Sequence, residues 1–379
     1  MEKQITIGFI SYADPMDKTA WSGTIHHLYK SIEGAGYNVI WIKARFSKWI
    51  KYYQKLLDSL SKYSGKRYSI AHTILAANLT HIDKTSIQRV DILFSPGCTA
   101  IYKLKTDKPI IYLADATFKA IYNYYDELSN LFSFNITEGN KIEKKALTKA
   151  THIIHASDWA KQSAVKDYGI PQNKISIIEF GANITRPYIH KIKDKEDTLH
   201  LLFLGVDWKR KGGDIAIETS KILNDQGIKN IIHIAGPMDF PQKYKELPYV
   251  DFIGFLNKNK EEEYRKFIQI ISSSDIFILP TKAECAGIVF AEASAYGLPI
   301  FTYDTGGVGN YVINEINGYR LPLKCNANEF AEQIKDCVTT KKLDQMHKTA
   351  VILYKERLNW DRWSTCFKSI IENINTHKV

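Results

Sequence analysis

Between Ser274 and Gly307 the chain reads SDIFILPTKAECAGIVFAEASAYGLPIFTYDTGG, and no other stretch restricts the fold so tightly. The run Ile276-Phe277-Ile278-Leu279 is apolar, rich in β-branched residues and stopped by Pro280, which predicts a short buried parallel strand. A loop carrying Glu284 and Gly287 follows. A helix is predicted from Ile288 through Glu292 to Tyr296, closed by Gly297 in a left-handed cap, and Pro299 then leads into a second strand, Ile300-Phe301-Thr302-Tyr303. The whole is one β-α-β unit.

Chemistry lies in the loop. Gly287 lets the backbone pass close to a ligand, and the amides of Ile288 and Val289, first in the helix, have no intrahelical acceptor. A phosphate fits such donors. Glu292, one turn in, would repel a phosphate beside it but can accept hydrogen bonds from the hydroxyls of a ribose. Glu284, eight positions earlier, is placed to bond a second polyol beyond the phosphates. Phosphate between two sets of hydroxyls describes a nucleotide sugar.

Glu284 and Glu292 form an E-x7-E pair inside ECAGIVFAEASAYGLP. With Pro280, Gly287, Ala293, Gly297, Pro299 and Gly306-Gly307 around it, the segment resembles the donor site of GT-B-fold glycosyltransferases, especially the retaining family 4. The resemblance implies a hexosyltransferase-like enzyme moving a sugar from a nucleotide donor to a hydroxyl, with retention at the anomeric carbon. It covers nearly the whole chain, with its specific motifs concentrated between Gly205 and Gly307. An alternation of short apolar strands with helices independently predicts an α/β fold with two Rossmann-like domains facing each other across a cleft.

The segment from Gly205 supplies a second anion site. Strand Leu199 to Leu204 leads into Gly205-Val206-Asp207-Trp208-Lys209-Arg210-Lys211-Gly212-Gly213, and a helix runs from Asp214 to Asp225. Two cations and two glycines at a strand-to-helix turn suit a phosphate, and the turn is expected to be exposed. Family 4 enzymes commonly carry G-R-x-x-x-x-K-G here. Val206 replaces that arginine, so the resemblance gives its charge to Arg210 beside Lys211. No D-x-D occurs anywhere, so no metal is expected on the diphosphate, and no cofactor is implied beyond the donor as substrate. Another nucleotide-sugar enzyme of the fold, an epimerase or phosphorylase, would use the same donor cleft, and a catalytically silent partner subunit is the non-enzyme alternative.

A length of 379 residues suggests two domains, and 45% apolar with 24% charged residues is the composition of a globular protein. A net charge of +10 biases the chain toward acidic partners such as nucleotide diphosphates and anionic lipid surfaces. Nucleic acid is not an expected partner. Five scattered cysteines without a C-x-x-C pair suit a reducing cytosol and argue against a disulfide framework or zinc site. Ile5 to Ile10 is too short for a signal peptide and no run approaches a membrane span, so a cytoplasmic location is expected, with any membrane contact peripheral.

In the first half, strand Ile5 to Ser11 leads to a long loop, and a helix opening at Trp21-Ser22-Gly23-Thr24 runs to about Glu33. The resemblance puts a donor-contacting glycine at Gly23. After a strand from Tyr37 to Ile42, the segment Trp41 to Arg67 mixes eight cations with aromatics around the single acid Asp58. Phe46, Trp49, Tyr53, Leu56, Leu57 and Leu60 recur at helical spacing, and two readings follow: a basic amphipathic helix resting on an anionic membrane, near lipid-linked acceptors, or a domain helix with its stripe in the core. Strand Pro109 to Leu113 ends in Ala114-Asp115-Ala116-Thr117, which makes Asp115 an acceptor-side candidate or a helix cap. His152 and His155 read as structural. The charged run His190 to Asp197 marks a linker. Domains are therefore expected at 1–190 (acceptor side), 191–355 (nucleotide sugar) and 356–379, a last helix crossing back to the first. The implied setting is bacterial-type surface polysaccharide or glycan assembly, with a glycan or lipid-linked saccharide as acceptor.

Overall fold

The computed structural model describes residues 4–184 and 198–376; the charged run His190 to Asp197, with the expected boundary at 190, lies outside the described residues. The chain divides into two compact units, one formed by Met1–Ile178 with Trp363–Val379 and the other by Glu179–Arg362.

The first unit is built on a seven-stranded sheet: β1 (Thr6–Ser11), β2 (Asn38–Phe46), β3 (Thr80–Ile82), β4 (Ile92–Pro96), β5 (Ile110–Ala114), β6 (His152–His155) and β7 (Ile175–Ile177). Its order is β3-β2-β1-β4-β5-β6-β7, parallel throughout except for β3, which pairs antiparallel with β2 at the edge. β1, β4 and β5 are nearly continuous apolar runs because both faces of a parallel sheet are covered. One cover is the last helix, Trp360–Thr376, which from Trp363 onward belongs to this unit. Trp363, Phe367, Ile370, Ile371 and Ile374 fall on its inner stripe, and Phe94 meets the Phe367 ring edge-on at 5.7 Å.

The second unit carries six parallel strands: β8 (Leu199–Leu204), β9 (Asn230–Ala235), β10 (Val250–Gly254), β11 (Ile276–Leu279), β12 (Ile300–Tyr303) and β13 (Gly318–Leu321), in the order β10-β9-β8-β11-β12-β13. Strand order reverses between β1 and β4 in the first sheet and between β8 and β11 in the second, the topological switch points at which open α/β sheets bind ligands. The helix Ile288–Ala295 is buried from Phe290 through Ala295, as its apolar character on all sides demands.

The basic segment differs from expectation. β2 continues to Phe46, because Ile42-Lys43-Ala44-Arg45 alternates inward and outward, so the helix occupies only Ile50–Ser64. Its stripe does not enter the core: Leu57 alone is buried, whereas Trp49, Leu56 and Leu60 are exposed.

Candidate functional site

The β8/β11 switch point is assembled by two loops that touch through backbone. Asp207 caps the single-turn helix Trp208–Lys211 by accepting from the Arg210 amide, and Gly212 ends the turn at φ +76°. A Cβ on Gly212 would lie 2.2 Å from the Pro280 carbonyl oxygen, so only glycine lets this turn rest on the end of β11. The Lys282 amide donates to Arg210 O (2.8 Å), and Arg210 Nη1 donates to Ala283 O (2.9 Å). Across the loop, the Gly307 amide donates to Glu284 O (3.0 Å).

These contacts bring three of the expected residues together. Lys211 Nζ is paired with the Glu284 carboxylate, and Arg210 Nη1 lies 3.9 Å from the same oxygen. Lys211 is not on an exposed corner: it is only 9% accessible, because its stem lies against Gly205 and the turn folds over it. Arg210 is also held by Asp207 Oδ2 at 3.2 Å. Just beyond Glu284, Gly287 takes φ +46°, where an added Cβ would strike the Phe290 ring at 2.3 Å. The Phe290 amide turns back onto Gly287 O, which makes the Ile288 and Val289 amides the leading donors of the helix. Glu292 is 4% accessible and bound by Lys258 Nζ at 2.6 Å. Exposed apolar side chains rim the neighbouring strand ends, with Val206 after β8, Met238 after β9 and Phe255 after β10.

In the first unit, Trp21 (φ 49°), Ser22 (φ 55°) and Gly23 (φ 89°) form three successive left-handed residues before the helix Thr24–Gly34. Such a backbone costs about 1–2 kcal/mol per non-glycine residue. At its end the Thr24 hydroxyl is buried without a hydrogen-bond partner. Asp115 sits directly after β5; the capping role considered for it belongs to Thr117, whose hydroxyl accepts from the Ala120 amide. His152 Nε2 bonds Ser176 Oγ (2.9 Å) and His155 Nδ1 donates to Ala114 O (2.8 Å).

The sequence model of the family described as Glycosyl transferases group 1 matches residues 185–352. The matched residues include Arg210, Lys211, Glu284 and Glu292. The whole chain has the GT-B fold: it superposes on sucrose-phosphate synthase from Thermosynechococcus elongatus with a TM-score of 0.69 at 15% identity, covering 99% of this chain and 100% of that one. The HepE protein of Anabaena in complex with UDP-glucose gives a TM-score of 0.62 at 15% identity, covering 98% and 100%. In sequence, the chain is 22% identical to the capsular polysaccharide biosynthesis glycosyltransferase CapM of Staphylococcus aureus, over 61% of this chain and 65% of that protein. Matches span 51% and 65% of the length of the first two curated relatives.

Two features of this GT-B chain escape sequence reading. Lys258 stands in the polar run Asn257-Lys258-Asn259-Lys260, which looks like a solvated loop; its only sequence signal is its place four residues past the end of β10. Glu143 lies in a helix, Ser133–Lys149, and is buried behind Asp115, accepting from Tyr112 Oη at 2.8 Å. Burial pushes its carboxyl up to about 7, against opposing hydrogen bonds from Tyr112, Cys98 and the Phe118 amide. The folded chain therefore keeps a proton that the unfolded chain releases near its ordinary value of 4.5. This contribution to stability is complete below that value and is lost as pH rises through about 7. Calorimetry between pH 5 and 8 should show wild type losing up to about 3 kcal/mol more than Glu143→Gln across this window. Parallel curves for the two proteins would show that the carboxyl is ionised throughout.

Proposed function

We propose that this chain is a retaining, hexosyltransferase-like enzyme that moves a sugar from a nucleotide-sugar donor to a hydroxyl of a glycan or lipid-linked acceptor in surface polysaccharide assembly. The observation that carries the reading is the convergence of Lys211 and Arg210 on Glu284 at the β8/β11 switch point, three residues before the helix start at Gly287. Cations and leading amides at one strand end suit a diphosphate, and they stabilise the charge that grows on it as the sugar departs. Glu284 is assigned to the transferring sugar and Glu292 to the ribose. Gly23 and Asp115 are the first unit's candidates for donor and acceptor contact. The UDP-glucose in the HepE structure and the polysaccharide role in the name of CapM support donor class and setting.

A thermal-shift screen against a panel of nucleotide sugars tests the reading, because a ligand bound only by the folded state raises the apparent stability. The stabilising donor should then release its nucleoside diphosphate faster when a saccharide acceptor is added, with the anomeric configuration kept in the product. Donor turnover to an epimer without acceptor, or no stabilisation by any member of the panel, would overturn it.

A further inference from the structure

The helix Ile50–Ser64 is covered on one side only. Leu57 is buried, and Ile50 and Tyr53 flank it on the inward side. A separate set of large apolar residues faces solvent: Trp49 (68% accessible), Tyr52, Leu56, Leu60 and Tyr63 (97%). Their spacing of three, four, four and three residues confines them to an arc of about 80°, at 3.6 residues per turn, over a length of roughly 21 Å. Trp49 and Tyr52 pack ring to ring at 5.6 Å, so the stripe begins as a continuous aromatic surface.

Lysines run alongside. Lys48, Lys51, Lys55 and Lys62 are all exposed and fall within an arc of about 60°, next to the apolar stripe on the side away from Leu57. Lys66 and Arg67 extend the row past the helix end. Asp58, the one acid from residue 48 to 67, accepts a hydrogen bond from Tyr68 Oη at 2.6 Å.

We infer that this face docks on an anionic lipid bilayer, with the Trp49-Tyr52-Leu56-Leu60-Tyr63 stripe entering the boundary between headgroups and acyl chains and the lysine row meeting lipid phosphates. A row of exposed large apolar residues calls for an apolar cover. Charge selects which cover: a second copy of this chain would bring another lysine row to the same seam, whereas an anionic surface neutralises it. An amphipathic helix of this kind lies in the membrane plane and needs no spanning segment; among the described residues no helix is long and apolar enough to cross a membrane. The inference is independent of the transfer reading, since binding is measured without donor or acceptor.

The test is vesicle flotation of the purified chain at low and high salt, using phosphatidylcholine vesicles with and without one quarter phosphatidylglycerol. Wild type should float with the anionic vesicles at low salt, remain behind with the neutral ones, and be partly released at 0.5 M salt as the charges are screened. Two exposed-face variants separate the contributions. Replacing Lys48, Lys51 and Lys55 together by glutamine should weaken partitioning about a hundredfold. Replacing Trp49, Leu56 and Leu60 together by serine should abolish the salt-resistant part, with the circular dichroism spectrum and melting temperature of both variants close to wild type. Absence of wild-type binding to anionic vesicles at low salt would overturn the inference, as would a serine variant that binds like wild type. A concentration-dependent dimer in the absence of lipid, abolished by the serine variant, would overturn it in favour of a second copy.

Discussion

Lys211→Ala is expected to lose about a hundredfold in kcat, on the order of 3 kcal/mol of transition-state stabilisation, with a much smaller change in KM. The diphosphate gains charge as it separates from the sugar, so a cation held at the strand end matters more to the transition state than to the bound donor. Because Lys211 is buried and paired with Glu284, removing it also disturbs the fold. That cost should fall short of the ~3–5 kcal/mol of a fully orphaned buried charge, since Arg210 remains 3.9 Å from the carboxylate. Lys211→Met keeps the stem that packs on Gly205, and so separates charge from packing. Arg210→Ala should cost a comparable amount if Arg210 fills the role left by Val206. The double variant should then lose less than the sum, because both cations address one developing charge. The measurement is steady-state kinetics with the donor found by the thermal screen, alongside melting temperatures. A folded Lys211→Met enzyme with wild-type turnover would leave the Ile288 helix start as the sole leaving-group site.

The second large effect concerns Glu292. Glu292→Gln should weaken binding of the nucleoside diphosphate by about 10- to 100-fold, the range expected when charge-assisted hydrogen bonds to a buried carboxylate are lost. Glu284→Gln should act chiefly on turnover. The 2.6 Å pair adds a discriminating variant: Lys258 holds Glu292 in place, so Lys258→Ala should weaken nucleotide binding as well. Combined with Glu292→Gln it should add little, since the lysine acts through the carboxylate. Titration calorimetry of the three variants decides the matter, and equal affinity in wild type and Glu292→Gln would remove the assignment.

Much of the architecture was legible because parallel strands buried on both faces read as unbroken apolar runs. Ile276–Leu279 and Ile110–Ala114 are of this kind. β3 was not legible: Thr80-His81-Ile82 is three residues long and sits at an edge, with one side chain buried. The end of β2 is hidden because the outward Lys43 and Arg45 look like one face of a basic helix when the strand's partners are unknown. At the site, loop glycines and glutamates carry their meaning in local spacing, so Gly287, Glu284 and Lys211 could be singled out. Lys258 could not, since its partner lies 34 positions away. Nor could the left-handed backbone of Trp21 and Ser22, because neither residue type advertises positive φ as glycine does.

The first unit is discontinuous in sequence, and this orders events during synthesis. Phe94 and the fully buried Trp363 meet edge-on in its interior, at 6.1 Å between ring centroids, although 268 residues of chain separate them. The second unit, by contrast, is one uninterrupted stretch, Glu179–Arg362. Emergence from the ribosome therefore makes the later-encoded unit the first that can be completed, while its predecessor waits with an uncovered sheet face until the stretch after Arg362 has been made. A nascent chain stalled before that point leaves Phe94 without the Trp363 and Phe367 rings that pack against it.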